Sequence, residues 1–540
     1  VLEAIQAGND RGLHQLEYQA ASARAKGQPV GIRGWTVASF RHLTSRALDP
    51  FPHHHNVVAN TVVDEHGTRR ALDARTLYWN AREASALATA EMRHQLTQTL
   101  GVRWRPGRTG GWEIAGIDNE VVREFSRRRN EIDDAIAELE SAIGRHSNLD
   151  EVQRIITNTR PDKTDVDPSQ LVEGWWTRAR SHGLTPRRLS SAINSDAVEQ
   201  HVDIKFIFGR LADPIDGVCA NISTFTRADV IAALVDLPVP NQDGPDQPLL
   251  LRADDIERLA DQFLASEAVI PLEPTNLPAE SALSRSSLFS TTEILSVQHR
   301  ILTAYDAGLH AEAAFVSPEM MREAIKATTL TDEQAELVSS LCQSGHRVQC
   351  AIGRAGTGKT TSMRAAARAW EQSGWTVVGA AVKGEAARHR ADGAEIPTET
   401  VAWYLARRDR PSLPLDDRTV LVIDEASTLS DRDLDALLRV AADRGSVVRL
   451  IGDPAQHGAV AAGGMFGHLC GRNPDETPEL TTTHRLVDPA ERNAVEALRL
   501  GDIDRAMDQL EAAGKLHLAD DEIGLYIGML QRWWGAHQVG

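Results

Sequence analysis

Apolar positions change their period twice along this chain. From Gly34 to about Asp64 they fall in short β-branched runs, W-T-V-A-S-F and N-V-V-A-N-T-V-V-D, bounded by the turn formers Asp49-Pro50 and His66-Gly67. That pattern predicts an antiparallel sheet. Over residues 76–100 and 119–146 the spacing becomes helical, with Ala, Leu, Glu and Arg dominant, so residues 1–150 read as an α+β domain. A polar break, N-T-R-P-D-K-T-D-V-D-P, ends at Pro168. Residues 151–325 read as a mostly helical accessory region, interrupted by a Pro/Gly/Asp-rich loop from Pro238 to Pro248. After Leu330 strand, glycine loop, helix and strand alternate, which predicts a parallel α/β sheet over residues 326–478. Residues 479–540 return to helical spacing, and there is no internal repeat.

Composition narrows the class. With 540 residues, 42% of them hydrophobic and 25% charged, the chain has an ordinary globular profile and room for several domains. No apolar run is long enough to span a bilayer, and the first ten residues lack a secretory pattern. A cytoplasmic protein without membrane insertion is expected. Cys219, Cys342, Cys350 and Cys470 are too dispersed for a C-x-x-C motif and read as free thiols. The net charge of −18 opposes phosphate binding, but residues 1–110 hold 14 Lys+Arg against 9 Asp+Glu. That local basic excess suits a segment that handles DNA.

Residues Gly353 to Thr360 read G-R-A-G-T-G-K-T, between the apolar strand R-V-Q-C-A-I and the helical T-S-M-R-A-A-A-R-A-W. Gly353, Gly356 and Gly358 let backbone N–H groups close around phosphates, Lys359 reaches the β/γ-phosphates, and the Thr360 hydroxyl ligates Mg²⁺. Thr361 follows in the same helical turn. In T-V-L-V-I-D-E-A-S, Asp424 and Glu425 sit at the C-terminal end of an apolar strand, where open parallel sheets bind their ligands. Asp424 would hold Mg²⁺, and Glu425 would orient or deprotonate the attacking water. In V-V-R-L-I-G-D-P-A-Q, Gln456 stands where a γ-phosphate sensor is needed.

The series Leu330, Thr331 and Gln334, the glycine loop, G-A-A-V-K-G-E-A-A from Gly379 to Ala387, D-E-A-S and G-D-P-A-Q resembles superfamily 1 helicases of the RecD-like group. The resemblance implies ATP and Mg²⁺ as cofactors. It further implies that Gln334 reads adenine, that Gln456 links γ-phosphate to DNA movement, and that Arg485, in T-T-T-H-R-L, contacts the γ-phosphate. Such motors close a second RecA-like domain over the nucleotide. The residues after Arg485 read as the opening of that half, so the chain is expected to be truncated there, with unwinding poor or absent.

Phe40 to Asn60 reads F-R-H-L-T-S-R-A-L-D-P-F-P-H-H-H-N-V-V-A-N. His53 and His55, two apart on a strand, share a face, and His42 lies on the strand before. Three imidazoles converging this way can hold a catalytic metal that polarises a phosphate; a solvated histidine run is the bland alternative. The segment resembles the TrwC/TraI-like conjugative relaxases, as do A-L-D-A-R-T-L-Y, G-W-E-I-A-G-I and F-S-R-R-R-N-E-I. The resemblance implies that His42, His53 and His55 bind a divalent metal (Mg²⁺, Mn²⁺ or Zn²⁺), with His54 outside the set. Phe51, Pro52 and Asn56 depart from the family pattern and bear on the strand register. Arg46 is a candidate for a DNA phosphate, or for a structural pair with Asp49.

Taken together the chain resembles a relaxase fused to a RecD-like helicase. The implied partners are single-stranded and transfer-origin DNA, with conjugation accessory and coupling proteins. The family's nucleophilic tyrosine is expected upstream of Val1; Tyr18, Tyr78, Tyr305, Tyr404 and Tyr526 all fall outside its motif, so nicking by these residues alone is not expected. The alternative is a stand-alone RecD-like helicase with a non-catalytic DNA-binding N-terminal domain.

Overall fold

The computed structural model describes residues 1–540 except 20, 26–27, 108–109, 144–146, 148, 160–165, 167, 194–199, 201–202, 242–243, 274–286, 383–395, 485–487, 517–521 and 540. These residues form two compact units: 1–220 with 224–292, and 221–223 with 293–540.

In the first unit α1 (Leu2–Gln19) packs along α2 (Ala74–Leu100). The helices meet at small residues. A Cβ on Gly8 would stand 2.6 Å from the carbonyl oxygen of Ala88, so only glycine allows this approach. Asp73 caps α2 through its carboxylate, and Gly101, at φ 62°, ends it. Between the helices β1 (Val37–Thr44) pairs antiparallel with β2 (Pro50–Val58), matching Phe40 with His55, Arg41 with His54 and His42 with His53. The ladder shifts register between the pairs His42–His53 and Thr44–Pro50, so Phe51 and Pro52 stand at the irregularity, whereas Asn56 keeps its place opposite Ser39. Asp49, 2% exposed, anchors the connecting turn by accepting from Arg127 Nε at 3.0 Å and Arg178 Nη2 at 2.9 Å. The partners of Asp49 thus include arginines far along the chain.

One expectation fails here. Pro238 to Pro248 is a β-hairpin, Pro238–Asn241 against Gly244–Pro248, where the composition predicts a loop. The buried side-chain amide of Gln247 accepts from Trp104 N–H and donates to Trp104 carbonyl, both at 2.7 Å. A tertiary bond therefore pins the strand, and proline at the strand ends costs no ladder bond. Val269–Leu272 and Leu288–Thr291 form a further ladder in the region read as helical.

The second unit is built on a six-stranded, all-parallel sheet. Its strands are β3 (Val348–Gly353), β4 (Thr376–Ala381), β5 (Thr398–Thr400), β6 (Thr419–Asp424), β7 (Val447–Gly452) and β8 (Glu479–Leu480), in spatial order β5-β4-β6-β7-β3-β8. Every residue of β6 and β7 is buried, which is why both read as continuous apolar runs rather than alternating ones. Two flanking helices, α3 (Asp332–Gln343) and α4 (Lys359–Gln372), close one core around Leu341, Val338 and the fully buried Trp370. Arg449, buried mid-strand in β7, donates to the carbonyls of Leu341 and His346 and lies over Trp370. Burial presses its guanidinium down to about 10. The four cysteines are buried thiols outside any disulfide. No described helix is long and apolar enough to cross a membrane.

Candidate nucleotide and metal sites

Parallel strands deliver all their carboxyl ends to one edge, and the three nucleotide motifs follow β3, β6 and β7 there. Gly356 and Gly358 adopt φ 75° and 87°, a region open to glycine at little steric cost. A side chain on Gly353 would come within 2.5 Å of Cγ and Cδ of Lys359. The glycine thereby lets Lys359 lie across the loop, where Nζ donates to the carbonyls of Gly353 at 2.6 Å and Arg354 at 3.3 Å. Gly358 heads α4 without a side-chain cap, so the helix keeps a cradle of N–H groups suited to an anion. Thr360 and Thr361 are exposed in that first turn.

Asp424, 7% exposed, ends β6, and its Oδ1 accepts the Glu425 N–H at 2.6 Å. Thr360 and Asp424 line the same cavity of about 20 Å³, with Met363, Thr398 and Val422. Glu425 is half-buried in the left-handed region, φ 53° and ψ 37°, a conformation that costs a non-glycine residue about 1–3 kcal/mol and is typical of functional positions. Gln334 is buried beside the loop. Its Nε2 donates to the Thr357 carbonyl at 3.0 Å and its Oε1 accepts from Thr331 N–H at 3.2 Å, completing a capping box on α3. An adenine contact would require that amide to exchange partners. Gln456 is exposed, with Nε2 donating to Asp453 Oδ2 at 3.1 Å. Arg485 lies outside the described residues. The residue before it is docked: His484 N–H donates to the Gly356 carbonyl at 2.8 Å.

Several residues of this edge carry no sequence signal. Glu333 Oε1 accepts the N–H and hydroxyl of Thr481, both at 2.6 Å, and Oε2 accepts the N–H of Thr482 at 3.1 Å. Burial pushes the Glu333 carboxyl up, but these hydrogen bonds outweigh it and hold the group below its usual range. Arg354, inside the glycine loop, donates to Glu479 at 2.9 Å and to Glu496 at 2.7 Å. Glu496 belongs to α5 (Pro489–Arg499), whose last residue, Arg499, donates to both Asp453 oxygens at 2.7 Å. Charge pairs between residues 46 to 142 positions apart cannot be read from spacing.

In the first unit one face of the β1–β2 ladder gathers His42, His53 and His55, with ligand nitrogens all within 4.8 Å of one another. His53 Nδ1 lies 2.7 Å from the Phe51 carbonyl, which can only accept, so Nδ1 carries the proton. Nε2, 3.2 Å from His55 Nε2, is left with its lone pair. A metal-binding imidazole is oriented in this way. His54 is opposite Arg41 in the register, and both its ring nitrogens are buried without a hydrogen-bond partner among the described residues. Phe40 and Phe51, 54% and 57% exposed, flank the triad on its own face. Arg46 sits half-buried in the connecting turn. Tyr305 and Tyr404 are core residues, 1% exposed, whereas Tyr18 and Tyr78 are on the surface.

A second cluster, His310, His346 and Glu476, brings ligand atoms equally close but has the opposite polarity. His346 Nδ1 accepts the His310 N–H at 2.9 Å, so Nε2 holds the proton and donates to Glu476 at 3.0 Å. Binding a cation at Nε2 would drive that proton to Nδ1, against an N–H donor. The cluster is a hydrogen-bonded brace.

Residues 1–182 match the family model described as TrwC relaxase, and residues 329–521 match the one described as AAA domain. A probable conjugal transfer protein TraA of Sinorhizobium fredii is 28% identical over 256 residues, covering 47% of this chain and 23% of that protein. The conjugal transfer protein TraA of Rhizobium radiobacter is 32% identical over 235 residues, covering 42% and 21%. A solved structure of conjugative relaxase TrwC with oriT DNA, metal-free, is 30% identical, covering 34% of this chain and 66% of that one at a TM-score of 0.31. The chain thus spans less than a quarter of the length of the two TraA relatives. It carries a TrwC relaxase segment followed by an AAA domain, and is a relative of the conjugal transfer proteins of the TraA type.

Proposed function

We propose that the chain works as a conjugative relaxase-helicase, joining metal-dependent handling of transfer-origin DNA to an ATP-driven motor on single-stranded DNA. The observation that carries the motor is the shared cavity of Thr360 and Asp424, at the sheet edge where the uncapped helix and Lys359 await an anion. In this reading Gly353, Gly356, Gly358, Lys359 and Thr361 hold the phosphates, Gln334 meets the adenine, and Thr360 and Asp424 hold Mg²⁺. Bound Mg²⁺ supplies charge neutralisation on the phosphate oxygens. Glu425 takes the proton of the attacking water, and Gln456 and Arg485 respond to the γ-phosphate. The docking of His484 on the glycine loop supports the reach of Arg485.

His42, His53 and His55 fit a divalent cation by their convergence and by the tautomer set on His53. Such a cation polarises a DNA phosphate, and Arg46 contributes a phosphate contact. Mg²⁺, Mn²⁺ and Zn²⁺ all suit the reading, as do a cytoplasmic setting and conjugation accessory and coupling proteins as partners. The TrwC relaxase match across residues 1–182 weighs against a stand-alone helicase with an unrelated N-terminal domain.

Steady-state ATP hydrolysis with and without single-stranded DNA tests the motor. Lys359→Ala is expected to lower kcat/KM by roughly 100-fold or more, the scale of losing a main phosphate donor. A wild-type chain that hydrolyses no ATP, or a variant that matches it, overturns the reading.

A further inference from the structure

The carboxylate of Asp453 is 5% exposed and receives four hydrogen bonds. Two come from Arg499 Nη1, one from Ala455 N–H at 3.1 Å and one from Gln456 Nε2 at 3.1 Å. Arg499 is thus the cation that neutralises the acid on which the Gln456 amide rests. One turn earlier on the same face of α5, Glu496 holds Arg354 of the glycine loop at 2.7 Å. Glu479 lies between, 2.9 Å from Arg354 and 3.9 Å from Arg499. A single helix end therefore grips both loops that border the nucleotide.

We infer that Arg499 is a positioning residue for hydrolysis, which through Asp453 fixes the orientation of the Gln456 amide. With one Nε2 hydrogen held on the carboxylate, the amide keeps a second N–H for a phosphate oxygen and Oε1, an acceptor suited to a water proton. Removing the guanidinium leaves a buried carboxylate with a single N–H and a single amide donor. Such a group admits water or takes up a proton, and either change releases Gln456 from one orientation. Nucleotide binding, which depends on the glycine loop, is spared because Arg354 keeps Glu479 as a partner.

The inference rests on the ATPase reading, and one set of measurements separates the two. Fluorescent ADP binding and ATP hydrolysis are followed for the full chain and for Arg499→Gln, Arg499→Lys, Asp453→Asn, Gln456→Ala and the double variant Arg499→Gln/Gln456→Ala. Arg499→Gln is expected to keep ADP affinity within about twofold while kcat falls by roughly tenfold or more, with partial recovery in Arg499→Lys. The double variant is expected to be no slower than Gln456→Ala alone, because both changes act on one unit. Asp453→Asn, which keeps the shape of the side chain, carries the same expectation if Arg499→Gln fails to fold. An unchanged kcat, a parallel loss of ADP affinity, or an additive loss in the double variant overturns the role of Arg499. A wild-type chain that binds no ADP and hydrolyses no ATP sinks the ATPase reading instead.

Discussion

The two ring nitrogens of His53 have unlike neighbours, and that difference decides what the imidazole can do. Nδ1 gives its proton to the Phe51 carbonyl, which leaves Nε2 basic and turned toward His55. Replacing His53 by Ala is expected to weaken Mn²⁺ or Zn²⁺ binding, read by titration calorimetry, by at least the roughly 10–100-fold that disturbed supporting contacts cost. His54→Ala, on the opposite face, is expected to leave affinity unchanged; equal losses in both variants would mean that metal binds the run indiscriminately. The two-residue alternation that gathers His53 and His55 was legible in the sequence, because strand geometry alone dictates it. The tautomer was not, since it depends on a carbonyl placed by the local turn of β2.

Among elements, the segment leading to Arg485 is held by one acid at the start of α3. Glu333 fixes Thr481 and Thr482, and His484 follows onto the glycine loop. Because the folded carboxyl lies below its usual range, its stabilising contribution is complete above the ordinary glutamate value of about 4.3 and fades as pH falls through the lower, folded value. Thermal melts across pH 3–7 are therefore expected to drop more steeply for the wild type than for Glu333→Gln, which at pH 7 should bind ADP more weakly; parallel melting curves would remove Glu333 from this role. The sequence announced β3, α4, β6 and β7, where apolar runs meet glycine or carboxylate motifs, but not the helix α3 ahead of them. It missed the hairpin at Pro238–Pro248, because its composition is that of a loop and Gln247 is committed by a partner 143 positions away. It read the stretch of α5 as helical but was silent on its pairs with Arg354 and Asp453, which arise only once the sheet has formed.

At the scale of the molecule, the triad and the nucleotide edge belong to separate compact units, each with buried residues of its own. Changes in independent cores add without coupling. His53→Ala is expected to leave ATP hydrolysis within about twofold of wild type, and Lys359→Ala to leave metal stoichiometry unaltered, as measured by elemental analysis. A large crossed effect would mean that the two chemistries communicate. The division into an α+β beginning and a parallel-sheet unit was visible in the change of hydrophobic period, although the limits of each unit were not. The grip of α5 on both loops also bears on how the protein is made. The pocket opens with Gln334 and is fastened by Arg499, so a ribosome adding roughly 5–20 residues per second needs on the order of 10–30 s between the two. During that interval the nascent unit has its glycine loop but not its clasp, and under the proposed function a nucleotide arriving early would meet an unfinished site.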